Sequence, residues 1–277
     1  TLSAGTLLLV WLGEQISERG IGNGISLLIF ASIISAIPEM VGKGLFLAQE
    51  DQEKLIPFAV TILLTIGLIT IVILVTEAQR KIPLTYAGSG ARSKTQQAFL
   101  PIKINQAGMI PIIFAVALIS FPSIIGQFLV NAKSVWLRDF GATLTSVFQP
   151  GTTAYLTAYF LFVVAFTFFY VSITFNPVQV AENIQKRGGY IPGIRPGTQT
   201  SDYLAGVSSK LTLFGSFFLG FIALLPIFLQ YIFSSTALGS VPLLISGAGI
   251  IIIVGVVLDL IRQVNAQLVM HDYNKFY

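Results

Sequence analysis

At 277 residues, with 54% hydrophobic and 10% charged side chains, the chain carries less than half of the roughly 25% charge usual in soluble domains, which excludes it from that class. It has no cysteine and a single histidine, His271, which excludes disulfides, thiolate metal sites and an imidazole metal cluster. The net charge of +4 says less than its distribution among the loops.

Apolar runs of about 20 residues recur, long enough to cross a hydrocarbon core of roughly 30 Å. The alternating segments of about ten residues that mark a transmembrane barrel are absent. The expected fold is all-α: a polytopic transmembrane helical bundle. The chain starts at Thr1 inside an apolar run, TLSAGTLLLVWLG, without the basic head, short apolar core and small-residue cleavage site of a signal peptide. It is therefore expected to be the later part of a longer protein. Spans are expected at about 1–12 (partial), 25–41, 56–76, 106–129, 153–175, 211–234 and 241–260.

Seven crossings make the connecting loops alternate between sides. Arg19, then the stretch 77–105, then 176–210, then the tail together hold twelve basic residues, against four in the remaining loops. The positive-inside rule places the richer set in the cytoplasm. The stretch 42–55 falls outside and carries Glu50, Asp51 and Glu53.

GEQISERGIGNGISLLIF, from Gly13 to Phe30, spaces Gly20, Gly22 and Gly24 by two. No strand precedes it and no Lys-Ser/Thr follows, so it is not a phosphate loop. It reads as a tight turn with Asn23 capping the next helix. In 77–105, IPLTYA and ARSKTQQAFLPI flank the turn GSG and predict a β-hairpin finger. The stretch 176–210 opens with NPVQVAENIQKRGG. Asn176 is the predicted N-cap, Pro177 the first helical residue, and Gly188 the terminator behind Lys186 and Arg187. GYIPGIRPGTQT follows, with Pro192 and Pro196 fixing φ and Gly193 and Gly197 permitting turns. The result is a stiff protrusion carrying one cation, Arg195. Lipid headgroups need no rigid frame to meet a cation, whereas docking a partner gains from preorganisation.

Inside the apolar stretches ionisable residues are nearly absent, with Glu39 and Asp259 at the ends. Ion-coupled transport needs buried titratable groups, and hydrolysis or phosphoryl transfer needs carboxylates, a Ser/His dyad or a metal. No cofactor is expected. Pro111 and Pro122 interrupt 106–129, and Ser246 to Gly249 (SGAG) offers close backbone approach in the last span. Composition alone does not single out any isoleucine.

GEQISERGIGNGISLLIF, INQAGMIPIIFA with SFP after it, ITFNPVQVAENIQKRGGYIPGIRPGTQT and the terminal LDLIRQV resemble the bacterial SecY family, the large subunit of the Sec protein-conducting channel. The resemblance runs from end to end. It implies the end of the fourth through the tenth of ten membrane helices, with the first three absent. It divides the chain into 1–41, the end of an N-terminal half; 42–55, an external hinge loop; and 56–277, a C-terminal half.

The resemblance also implies roles. Ile25, Ile29, Ile113 and Ile252 map onto the family's apolar pore ring, whose other members lie in the absent part. Asn105, Gln106, Pro111, Phe121 and Pro122 fall in the lateral-gate helix. Arg80, Lys81, Arg92, Lys94, Lys186, Arg187 and above all Arg195 lie in loops that dock the motor ATPase SecA or the ribosome. The implied partners are the small subunits SecE and SecG, SecA, the ribosome through its rRNA, the translocating preprotein, membrane lipid and the missing N-terminal part. The implied location is the bacterial inner membrane, or a thylakoid membrane. A secondary transporter for a small solute and a structural scaffold are the other classes considered, and the lack of intramembrane charge and the size of the cytoplasmic loops argue against the transporter.

Overall fold

The computed structural model describes residues 1–20, 22–50, 55–86, 98–233 and 246–274. Among them the order is α1 (Leu2–Arg19), α2 (Gly24–Glu50), α3 (Leu55–Glu77), β1 (Gln79–Tyr86), β2 (Ala98–Lys103), α4 (Ile110–Val130), α5 (Val135–Val147), α6 (Thr153–Thr174), α7 (Pro177–Lys186), β3 (Gly189–Tyr190), α8 (Thr198–Phe233) and α9 (Gly247–Asn274). Among the described residues, six helices are long and apolar enough to cross a membrane. They correspond to the six complete spans expected from the sequence. The chain folds as two compact units, Thr1–Ile73 with Leu225–Tyr277, and Leu74–Leu224.

In the first unit α1 packs on α2, and α2 on α9. α1 runs on past residue 12 to Arg19, so the turn before α2 is shorter than expected. Asn23 Oδ1 accepts from the backbone N–H of Ile25 and Ser26 at 3.1 and 3.2 Å, the cap the sequence predicts. Gly22, at φ 95°, supplies a turn that a side chain resists. α2 continues as helix to Glu50, well into the stretch expected as an external loop. Its Gly44 is buried, and the Phe58 ring from α3 occupies the space a Cβ there would need. Ser246 Oγ accepts from Gly249 N–H at 3.1 Å. The first residue of SGAG therefore caps α9, and Gly247 and Gly249 are buried behind it.

In the second unit α4 packs on α5 and α6. Pro111 is at the second position of α4, where its missing N–H has no intrahelical partner to lose. It starts the helix rather than interrupting it, which corrects the expectation from its place in 106–129. Pro122 does lie inside α4 and removes one ladder hydrogen bond. α5 is a helix where the sequence showed no motif.

The α4–α5 contact is a backbone one. A Cβ on Gly126 meets the Gly141 carbonyl oxygen at 2.8 Å, and one on Gly141 meets the Gly126 carbonyl oxygen at 2.8 Å. Neither carbonyl can swing away, because each is fixed in a helix. Gly141→Leu is expected to lift α5 off α4 at a cost of about 1–3 kcal/mol or more. Limited proteolysis of the intact protein reads this out as new cleavage in 131–152, and an unchanged pattern contradicts the packing.

α6 begins and α7 follows as the sequence prescribes. Thr152 caps α6 through Tyr155 N–H. Asn176 Oδ1 accepts from Val178 and Gln179 N–H at 3.1 and 3.2 Å, Pro177 opens α7, and Gly188 at φ 69° follows its end. α8 departs from expectation. It starts at Thr198, so the polar residues 198–210 are helix rather than loop.

Candidate docking platform and channel residues

The two basic loops of the second unit are not independent. β1 and β2 pair antiparallel with Gln79 opposite Lys103 and Leu84 opposite Ala98. Ile104 N–H donates to the Ala78 carbonyl at 3.0 Å and closes the base. This is the predicted finger, although its tip, with Arg92 and Lys94, lies outside the described residues. β3, from the other loop, pairs with the far edge of β1, Thr85 opposite Tyr190 and Tyr86 opposite Gly189. The sheet order is β2-β1-β3. Both loops thus contribute to one sheet.

A common core holds them. Ile82, Leu84 and Ile102 from the hairpin, Ala181 and Ile184 from α7, Ile191 from the proline-rich loop and Leu204 from α8 are all buried and mutually packed. Strand alternation explains the first three, because side chains at period two share a face. Gly189 passes close enough to this core that a Cβ would lie 2.9 Å from the Tyr86 ring. Burying the isoleucine and leucine side chains stabilises the joined loops by about 1.5–3 kcal/mol each, against the entropy of ordering them.

On this base the cations are displayed outward. Arg80, Lys81, Lys186, Arg187 and Arg195 are all exposed. Lys186 Nζ is 3.4 Å from Glu182 on the same exposed helix face. A solvated pair of that kind contributes about 0–1 kcal/mol and leaves the ammonium able to turn to a partner. Arg195 stands on a built support. Ile191 is buried before it, Gly193 and Gly197 take φ 84° and 103°, and Thr200 Oγ donates to the Arg195 carbonyl at 2.9 Å. No ion pair to Arg195 is formed among the described residues.

The sequence reading missed two aromatic residues of this surface. Phe99 and Tyr190 are 48% and 39% exposed. They lie opposite Pro83 and Thr85, hence on the sheet face that also carries Lys81. Aromatic residues are enriched at the cores of protein–protein interfaces, so these two join the candidate surface. Only the strand register reveals this, since it sets which residues share the outer face.

The lateral-gate candidates fall at the joint between hairpin and α4. Asn105 is buried, and its Oδ1 accepts from Gly108 N–H at 3.0 Å. Gln106 Oε1 accepts from Ser208 Oγ of α8 at 3.1 Å, while its Nε2 is buried with no partner among the described residues. A Cβ on Gly215 of α8 meets the Ile104 carbonyl oxygen at 2.8 Å. The entrance to α4 is thus seated directly on α8. Pro111 is buried in the first turn, and Phe121 is 61% exposed on α4.

Of the ring candidates, Ile25 and Ile29 stand one turn apart on α2, and Ile252 is buried on α9. Ile25 is 48% exposed, with one side against Gly13 of α1. Ile113, half-buried on α4, belongs to the other unit. All four side chains are apolar and none offers a ligand to an ion.

Comparison with known proteins gives the same architecture. The SecY family model matches residues 1–261. The protein translocase subunit SecY of Mycobacterium leprae is 40% identical over 283 residues, covering 99% of this chain and 62% of that protein. That of Aquifex aeolicus is 39% identical over 283 residues, covering 100% and 62%. That of Pseudomonas aeruginosa is 37% identical over 277 residues, covering 99% and 60%. A solved structure described as "The structure of a protein conducting channel" matches with a TM-score of 0.66 at 23% identity, over 96% of this chain and 63% of that one. The fold is thus the polytopic helical one expected, and the chain spans about 60% of the length of the curated relatives it matches. Family match, relatives and fold agree that this chain belongs to the SecY family.

Proposed function

We propose that the chain forms the larger, C-terminal part of a Sec protein-conducting channel, which passes unfolded polypeptides through an apolar constriction and releases membrane segments sideways. The observation that carries this reading is the fusion of both basic loops into one sheet with a single core. A channel without an energy source of its own needs a rigid handle for the machine that drives it, and preorganisation lowers the ordering cost of docking.

In this reading Arg80, Lys81, Lys186, Arg187 and Arg195, with Arg92 and Lys94 at the finger tip, meet SecA or the rRNA of a ribosome. Basic residues supply salt-dependent affinity for phosphates. Ile25, Ile29, Ile113 and Ile252 form the ring, completed by the missing N-terminal part. A narrow apolar ring gates by dewetting and offers no group that would trap a particular passing sequence. Asn105, Gln106, Pro111 and Phe121 belong to the helix lining the lateral exit, through which an apolar segment leaves at a gain of about 0.8 kcal/mol per buried methylene. The stretch 42–55 is the hinge between halves. SecE and SecG complete the channel in the bacterial inner membrane, and no catalytic step is assigned to the chain. The curated relatives are named translocase subunits, which favours this reading over a small-solute transporter.

The test uses the full-length protein in its complex, reconstituted in vesicles. Ile252→Asn is expected to raise resting ion leak about tenfold and to admit preproteins with defective signal sequences. The buried position on α9 makes the change felt, since a polar amide there needs water or a partner. Leak and signal selection both equal to the parent protein contradict the ring assignment.

A further inference from the structure

α5 joins α4 to α6 through short connections at 131–134 and 148–152. Both neighbours are long and apolar enough to cross a membrane. The β1–β2 hairpin precedes α4, so α5 lies at the bilayer face opposite the hairpin. Its depth is set by contact. A Cβ on Gly141, at the middle of α5, meets Leu129, Val130 and the Gly126 carbonyl oxygen at 2.7–2.9 Å. α5 therefore rests on the last two turns of a membrane span, where that span leaves the hydrocarbon.

The helical repeat divides α5 into three flanks. Leu137, Gly141, Leu144 and Thr145 are shielded, and Gly141 and Thr145 touch α4. The second flank carries Trp136, Phe140, Thr143 and Val147, all exposed, with Trp136 at 72%. The Trp136 and Phe140 rings stack with centroids 5.9 Å apart and planes 7° from parallel. Thr143, the polar member, donates its Oγ1 proton to the Asp139 carbonyl at 2.9 Å. This flank thus enters an apolar layer without an orphaned hydroxyl. The third flank carries Arg138, Asp139, Ala142 and Ser146, also exposed, with Val135 its one large apolar side chain.

The surroundings at this level say what covers the second flank. Phe128, on the last turn of α4, is 78% exposed, as suits a side chain facing acyl chains. Tyr155, in the first turn of α6, stands at the same end of the spans. Trp and Tyr concentrate where hydrocarbon meets headgroups, and here they come from two separate elements. Lys133 and Arg138 are exposed beside them and supply cations at the level of lipid phosphates. An amphipathic helix with Trp and Phe on one flank and charges on another lies in the plane of that boundary.

We infer that α5 is an interfacial helix, with Trp136, Phe140 and Val147 set into the acyl–headgroup boundary of the leaflet opposite the hairpin and Arg138 turned to the aqueous side. The inference concerns contact with lipid alone and stands apart from docking, pore and lateral exit.

The experiment uses the full-length protein in its complex, in vesicles of phosphatidylethanolamine and phosphatidylglycerol. The 277 residues contain no cysteine, so single cysteines bearing a nitroxide are placed along α5, with any cysteine elsewhere in the complex removed. Phe140→Cys, Thr143→Cys and Val147→Cys sample the second flank. Asp139→Cys, Ala142→Cys and Ser146→Cys sample the third. All six positions are exposed, so the packing on α4 is left intact. Collision with oxygen, which concentrates in hydrocarbon, is compared with collision with a water-soluble nickel chelate. The oxygen-to-nickel ratio is expected to be several-fold higher at 140, 143 and 147 than at 139, 142 and 146. Fluorescence from Trp136, taken as parent minus Trp136→Phe, is expected to be quenched more by lipid brominated near the ester than near the chain end. Ratios equal on the two flanks place the second flank in water and overturn the inference. Low collision with both reagents at 140, 143 and 147, without quenching of Trp136 by either lipid, places a protein partner there and overturns it as well.

Discussion

Arg195→Glu is expected to reduce SecA- or ribosome-driven export at least tenfold while leaving expression, insertion and thermal stability unchanged. The two halves of that expectation come from separate observations. Stability is unchanged because the side chain is exposed and no ion pair to it forms among the described residues, and such surface substitutions lie within about 0.5 kcal/mol. Function falls because the position is over-determined. Gly193 and Gly197 at positive φ, the buried Ile191 and the Thr200 bond to the Arg195 carbonyl all fix where the guanidinium is presented. A hydrogen bond to a charged group contributes about 1.5–3 kcal/mol, and the reversed charge adds repulsion. Arg195→Lys is expected to fall between, since an ammonium keeps the charge and loses the bidentate fork. Preprotein transport in vesicles, beside a melting curve, checks both halves. Full transport by the Glu variant contradicts the docking role.

Leu204→Asp is expected to act differently. Leu204 is fully buried in the core shared by the hairpin, α7 and the proline-rich loop. Truncating such a leucine costs about 2–5 kcal/mol, and a carboxylate there has no partner charge in that core. The platform is expected to open as a unit, exposing both 79–103 and 187–197 to protease, while the membrane helices stay inserted. Binding to SecA and to ribosomes should fall together, by tenfold or more. Opening confined to one loop contradicts the shared core, because two independent protrusions would melt separately. Arg195→Glu, with its platform intact, is the control that separates loss of a contact from loss of the frame.

The parts of the fold governed by local chemistry were legible in the sequence. Apolar length located the six long membrane helices. Asn176 with Pro177, and Asn23 before Gly24, announced helix starts that the hydrogen bonds then show. IPLTYA and its return strand announced the hairpin. What stayed hidden depends on residues distant in the chain. β3 is two residues long and exists only because Tyr86 and Thr85 offer an open strand edge. Residues 198–210 are polar enough to read as loop, and their helix is stabilised by what Leu204 packs against. α5 was hidden for a similar reason. Its decisive feature is a glycine pair, Gly126 and Gly141, whose closeness no local pattern encodes.

The candidate site divides the same way. The cations were evident as charges, and the stiffness around Arg195 was evident from its prolines and glycines. The outer face that adds Phe99 and Tyr190 follows from strand register. The isoleucines proposed for the ring carry no signal of their own. They are four among many apolar residues, and only resemblance to the family distinguishes them.

The most direct test is site-specific photocrosslinking from positions 29, 113 and 252 of the full-length protein to a preprotein stalled in transit. Crosslinks from all three positions, present only while the chain is stalled and lost when docking at Arg195 is reversed, are the predicted result. A stalled preprotein that reaches none of the three, or reaches them equally with the Arg195→Glu variant, contradicts the coupling of platform to channel.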